Sequence, residues 1–114
     1  EENRLGREDF FYHHGHFLDR FRMDPKMEFL EKEPVWDESI DVVWYAYTAA
    51  TVQKLANDMG YPVPIWTKKK QYKLESPYFQ GNAEDDFRIV LLLSTPAEFM
   101  SHNIFVLPNV LDRL

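Results

Sequence analysis

The chain has 114 residues, 45% of them hydrophobic and 16% aromatic, which suits one folding unit with a buried core and excludes general disorder. Nineteen Asp and Glu against thirteen Lys and Arg leave a net charge of −6, which repels phosphate backbones and anionic membranes except where lysines gather locally. Cysteine is absent, so disulfides, thiolate metal sites and cysteine nucleophiles are excluded, and no apolar run approaches the roughly 20 residues that cross a bilayer. A cytoplasmic protein is expected, without a membrane partner. The chain starts with Glu, as expected of a processed or trimmed protein, and EENRLGREDF lacks the apolar centre of a secretory signal.

From Asp9 to Arg22, Phe10, Phe11, Phe17, Leu18 and Phe21 share one arc at about 100° per residue, the pattern of an amphipathic helix that accommodates Gly15. Asp24 and Pro25 supply an N-cap oxygen and a first-turn proline for a short helix that buries Met27, Phe29 and Leu30 and is ended by Pro34. The strongest helix follows over Ile40 to Met59. Asp37 or Ser39 is placed to cap it, Gly60 to end it in the left-handed conformation, and Ile40, Val43, Trp44, Tyr47, Thr51, Leu55 and Met59 recur at helical spacing. Val42, Ala46, Ala49, Ala50 and Val52 make its other faces apolar or small, so this helix should run through the middle of the core.

Tyr61-Pro62-Val63-Pro64-Ile65-Trp66 reads as an extended arm, because each proline lacks a donor and biases its predecessor away from helix. Residues 67–83 show no sustained period and read as a long ordered loop anchored by Tyr72, Tyr78 and Phe79. Asn82 to Asp85 offer caps and first-turn acids for a helix over Phe87 to Leu93, favoured over a buried strand. Thr95, Pro96 and Glu98 combine a capping hydroxyl, a first-turn proline and a third-position carboxylate, which predicts a short helix to about His102. Ile104 to Val106 should be extended, and Pro108 opens a terminal turn. The sum is a mainly α fold, a single helical domain over residues 1–114. It is expected to be a compact bundle with a long ordered, aromatic-rich loop and a short extended C-terminal segment.

Asp9, His13 and His16 recur at i, i+4 and i+7 on one side of the first helix, a spacing at which carboxylate and imidazole ligate zinc or another divalent transition metal. A structural site needs a fourth ligand and a catalytic one a third plus an open position, so His102 would have to contribute from a distant segment. A solvated face explains the same residues, and no cofactor is expected; a metal-binding protein or metal-dependent hydrolase is the alternative. His14 differs, because it lies among Phe10, Phe17, Leu18 and Phe21 in the apolar arc, the place of a core histidine whose ring nitrogens need partners. Asp37, Glu38 and Asp41, like Glu84, Asp85 and Asp86, stand at helix starts, where capping accounts for them. Ser39, Ser76, Ser94 and Ser101 lack the glycine-flanked elbow of a nucleophile, and four glycines make no phosphate loop. No catalytic residue is assigned, and an enzyme is not the preferred reading.

Lys68-Lys69-Lys70, between Trp66 and Tyr72, is the basic cluster of note. Lysines interleaved with aromatics can meet phosphates and stack bases, but one triplet in an acidic chain fits a protein contact or a solubilising loop better than nucleic acid. Trp66, Lys68, Lys69, Tyr72 and Tyr78 are the expected partner-binding residues, since they join aromatic anchors to a charge opposite to the chain's average; the alternative for Tyr45, Trp66, Tyr72, Tyr78 and Phe79 is that they cover the core from the long loop.

Two stretches carry a family resemblance. Ala49 to Trp66, AATVQKLANDMGYPVPIW, is similar to the helix and Gly-x-Pro-Val-Pro-x-Trp arm of a group of small uncharacterised bacterial helical proteins. Pro96-Ala97-Glu98-Phe99 and the stretch from His102 to Leu114, with Asn103-Ile104-Phe105-Val106 and then Leu111 and Arg113, resemble the ending of the same group. The resemblance implies a cytoplasmic, mainly helical protein, sometimes joined to a helix-turn-helix domain or encoded beside a nucleotidyltransferase-like toxin. It thereby implies a regulatory or antitoxin-like partner role, with another protein as the ligand, and brings no catalytic residues. No DNA-reading helix is evident in this chain, and the His13 to His16 segment has no counterpart in the group.

Overall fold

The structure, a computed structural model, describes the backbone of residues 7–35 and 40–111, and within them the side chains of all but residues 7–12 and Asn82. Five α-helices follow in order among these residues: α1 (Arg7–Met23), α2 (Met27–Glu31), α3 (Val42–Met59), α4 (Asp85–Ser94) and α5 (Ala97–Met100). Between α3 and α4 the chain makes 3₁₀ turns at Ile65–Lys68 and Lys70–Tyr72, a two-residue strand β1 (Tyr78–Phe79) and a further turn at Gln80–Asn82. Strand β2 (Ile104–Phe105) pairs parallel to β1, with Tyr78 opposite Ile104 and Phe79 opposite Phe105. The fold is mainly α, and its radius of gyration of 13.8 Å is close to the roughly 13 Å of a compact domain of this length.

α3 is the axis. Trp44, Tyr45, Ala46, Tyr47, Ala49, Ala50, Thr51, Val52, Leu55 and Ala56 are all buried, which is the all-round burial its sequence predicts. Its small residues allow close approach, and α2, α5 and both 3₁₀ turns of the arm pack on it. Tyr47 meets Phe99 of α5 edge-on at 5.3 Å and His14 of α1 at 5.3 Å, so three helices converge on one ring. His14 Nε2 lies 2.8 Å from Thr51 Oγ1, the satisfied core histidine that its place in the apolar arc implied. Gly60 ends α3 at φ 73°, and its N–H and that of Tyr61 close the last turn on the Asn57 and Ala56 carbonyls.

Several ends differ from expectation. Asp41 caps α3 by accepting the Val43 N–H at 3.1 Å; Asp37, Glu38 and Ser39 lie outside the described residues. Lys26, rather than Asp24, occupies the N-cap of α2, and it makes no side-chain cap. Pro96 takes the N-cap of α5, where Thr95 was expected. The Thr95 hydroxyl is diverted: it donates back to the Leu91 carbonyl and accepts the Val106 N–H at 3.1 Å, tying the end of α4 to the segment after β2. Ile65 and Trp66 belong to a 3₁₀ turn, so extended geometry stops at Pro64. Proline biases the residue before it, and neither Ile65 nor Trp66 has that constraint.

Candidate functional site

The arm after Gly60 is fastened to the helices by aromatic side chains whose polar tips reach backbone oxygens. Tyr61 donates to the Pro25 carbonyl at 2.6 Å and Trp66 Nε1 to the Leu30 carbonyl at 3.0 Å; outside the arm, Tyr45 of α3 donates in the same way to the Val35 carbonyl at 3.1 Å. Trp66 and Tyr72 meet edge-on at 5.2 Å, and the Tyr72 hydroxyl donates to Glu33 at 2.6 Å. That bond, followed by the one from Lys69, holds the Glu33 carboxyl below its ordinary range. Burial and the Glu33 contact push the Tyr72 phenol up to about 12.

The expected contact residues therefore divide. Trp66 is 7% exposed and Tyr72 fully buried, so the exposed anchors anticipated at these positions do not form, and both are core residues. The aromatic excess covers α3 because a single long helix that is apolar all round needs a lid on every side. Tyr78 is half-buried, with its ring 6.1 Å from that of Trp44. Lys68 and Lys69 remain exposed, Lys69 in an ion pair with Glu33 at 2.9 Å.

On the metal candidate, His13 and His16 are exposed on α1, while the Asp9 side chain lies outside the described residues. Among the described residues no three His, Asp or Glu side chains gather around a common point. His102 is buried, and its Nδ1 is engaged with the Tyr72 carbonyl at 2.8 Å, so it is committed to the arm.

His102 instead forms part of a small cleft that the sequence did not disclose. Gln53 of α3, Lys68, Lys69, Lys70 and Lys73 of the arm, and Ser101 and His102 after α5 enclose about 250 Å³. The local fold holds these segments in register: Leu74 N–H donates to the His102 carbonyl at 3.3 Å, Tyr78 N–H to the Asn103 carbonyl at 3.0 Å, and Asn103 Nδ2 to the Leu74 carbonyl at 3.1 Å. Asn103 reaches this position with φ 66°, a left-handed conformation that Asn tolerates well. A carbonyl can only accept, so His102 Nδ1 carries the ring proton and neutral Nε2 presents a lone pair. That Nε2 is buried and has no partner among the described residues. Burial, the largest influence, holds His102 below its ordinary pKa; the bond to the Tyr72 carbonyl opposes this, and the charge of Lys73 adds to it.

A second surface was also missed. Only Leu91 of α4 is buried, whereas Ile89, Val90, Leu92 and Leu93 are 55%, 47%, 45% and 85% exposed. At about 100° per residue these four cover roughly 160° of arc on the outward side. The signal was present in the run Ile89 to Leu93, which is too apolar for a helix with one covered face.

The chain matches no protein-family model, no curated protein and no solved structure.

Proposed function

We propose that the protein is an interaction module that seats α4 in an apolar groove of a partner protein. The outward arc of Ile89, Val90, Leu92 and Leu93 carries this reading. Ile89, Leu92 and Leu93 stand at i, i+3 and i+4, the anchor spacing by which an amphipathic helix fills a groove. Contiguous exposed apolar surface of this kind marks association faces. Glu84, Asp85 and Asp86 are exposed at the first turn of the same helix, so the complementary groove is basic at the end that receives them. A regulatory, antitoxin-like component is the specific form that the resemblance of the Ala49 to Trp66 stretch and the C-terminal ending gives to this proposal.

The test is affinity capture from the protein's own cell extract with the native chain and with an Ile89→Lys/Leu93→Lys variant, alongside light scattering of both. The expected result is a stoichiometric partner held by the native chain and lost by the variant, with an unchanged melting temperature. Equal capture by both chains would refute the α4 reading. A native dimer that the variant dissolves would assign the face to a second copy.

A further inference from the structure

The lysines of the arm do more than solubilise it. Lys68, Lys69, Lys70 and Lys73 fall within six residues of a chain whose net charge is −6, and all four border the cleft that contains His102. Glu33 neutralises Lys69, whereas Lys68, Lys70 and Lys73 have no ion-pair partner among the described residues. Positive charge converging on a small concavity concentrates anions there. The neighbouring wider cleft shares Lys70 and Lys73 but adds Asp41 and Glu75, and this mixed lining gives it no field of one sign.

Charge alone does not select among anions; the buried imidazole does. Its Nδ1–H is spent on the Tyr72 carbonyl, so the unpaired Nε2 wants a donor. Sulfate, phosphodiesters and carboxylates at neutral pH offer only acceptor oxygens, and so for the most part do phosphate monoesters, whose last proton leaves at about pH 6. A phosphate that retains a P–O–H group offers both what the lysines need and what Nε2 needs. At about 250 Å³ the cleft is also below the roughly 300–1,000 Å³ of pockets that take drug-sized ligands, which favours a small oxyanion over a nucleotide or a strand of nucleic acid.

We propose that Lys68, Lys70, Lys73 and His102 form a binding site for inorganic phosphate, which still carries a P–O–H group at neutral pH. The lysines hold the charged oxygens, and the P–O–H donates to His102 Nε2. Nε2 is closed to bulk water, so seating the ligand requires the cleft wall beside His102 to open. Ser101 and Gln53 complete the wall without contributing charge. The site is independent of the α4 face.

Calorimetric titration of the full chain at neutral pH with inorganic phosphate, glycerol phosphate, sulfate and dimethyl phosphate tests the proposal. Saturable one-to-one binding of inorganic phosphate is expected, with glycerol phosphate, sulfate and dimethyl phosphate about tenfold weaker or more, the scale of one unmet buried hydrogen bond. A Lys68→Gln/Lys70→Gln/Lys73→Gln variant should lose about tenfold or more in phosphate affinity and keep its melting temperature, since these side chains are exposed and unpaired. Lys26→Gln, on the other side of α2 from the arm in sequence and paired with Asp24, should change nothing. His102→Asn keeps a donor for the Tyr72 carbonyl but removes Nε2, and should bring phosphate down to the level of sulfate. Absence of saturable phosphate binding at millimolar concentration overturns the proposal, and so does equal affinity of the native chain for phosphate and sulfate.

Discussion

α3 and α4 are both apolar helices, and they lie on opposite sides of the solvent boundary. α3 has 18 residues, among them ten buried ones, and is covered by α2, α5 and the aromatic arm. α4 has 10 residues, of which Leu91 alone is buried. An apolar circumference records what a helix can bury, while the neighbours that reach it decide how much is buried. α3 is long enough for successive elements to pack along its whole length. α4 is anchored by the Arg88 Nε bond to the Ala83 carbonyl at 2.7 Å and by the Thr95 hydroxyl, and its outer arc of Ile89, Val90, Leu92 and Leu93 is exposed.

The contrast can be tested by substitution, beginning where the effect should be largest. Tyr47→Ala in α3 removes the ring that touches His14 and Phe99 and should cost about 3–5 kcal/mol in urea unfolding, the usual loss for a large aromatic deleted from a core. Thr51→Val preserves shape but takes the hydroxyl from His14 Nε2, and about 1–3 kcal/mol should be lost by the same measurement.

The arm that covers α3 supplies a weaker, pH-dependent contribution through Tyr72 and Glu33. The folded state lowers the Glu33 pKa from 4.5, so its stabilising contribution is present above the unfolded value and is lost as pH falls through the folded one. Tyr72→Phe should therefore destabilise the protein at neutral pH, with the difference from the native chain shrinking below pH 4.5; a constant difference down the acid limb would remove Glu33 from the account. Smallest of all should be the change in stability caused by Ile89→Lys/Leu93→Lys in α4, within about 0.5 kcal/mol. A loss of about 2 kcal/mol or more there would show that α4 is buried like α3 and would end the comparison.

Much of the architecture was legible in the residues themselves. Helical period located α1, α3 and α4, Gly60 marked the end of α3, and His14 was recognisable as a core histidine from its neighbours in the arc. The capping assignments at Asp24 and Thr95 failed because a short polar side chain beside a helix start has more than one group within reach and the surrounding fold chooses among them: the Asp24 carboxylate pairs with Lys26, and the Thr95 hydroxyl with Val106. Whether Trp66 and Tyr72 are interface anchors or a cover for the core was open in the sequence, because an aromatic residue in a non-periodic segment carries no sign of whether it faces in or out.

The sequence by itself determined the mainly α composition, the central place of α3 and the gathering of positive charge at Lys68 to Lys70, since these follow from period, side-chain size and local charge. Tertiary structure alone decided that Trp66 and Tyr72 are interior, that α4 turns its apolar arc outward, and that His102 meets the lysine arm. Those outcomes depend on contacts between segments 30 or more residues apart, such as Tyr72 with His102 and Leu30 with Trp66, and no local pattern encodes which distant group completes a burial.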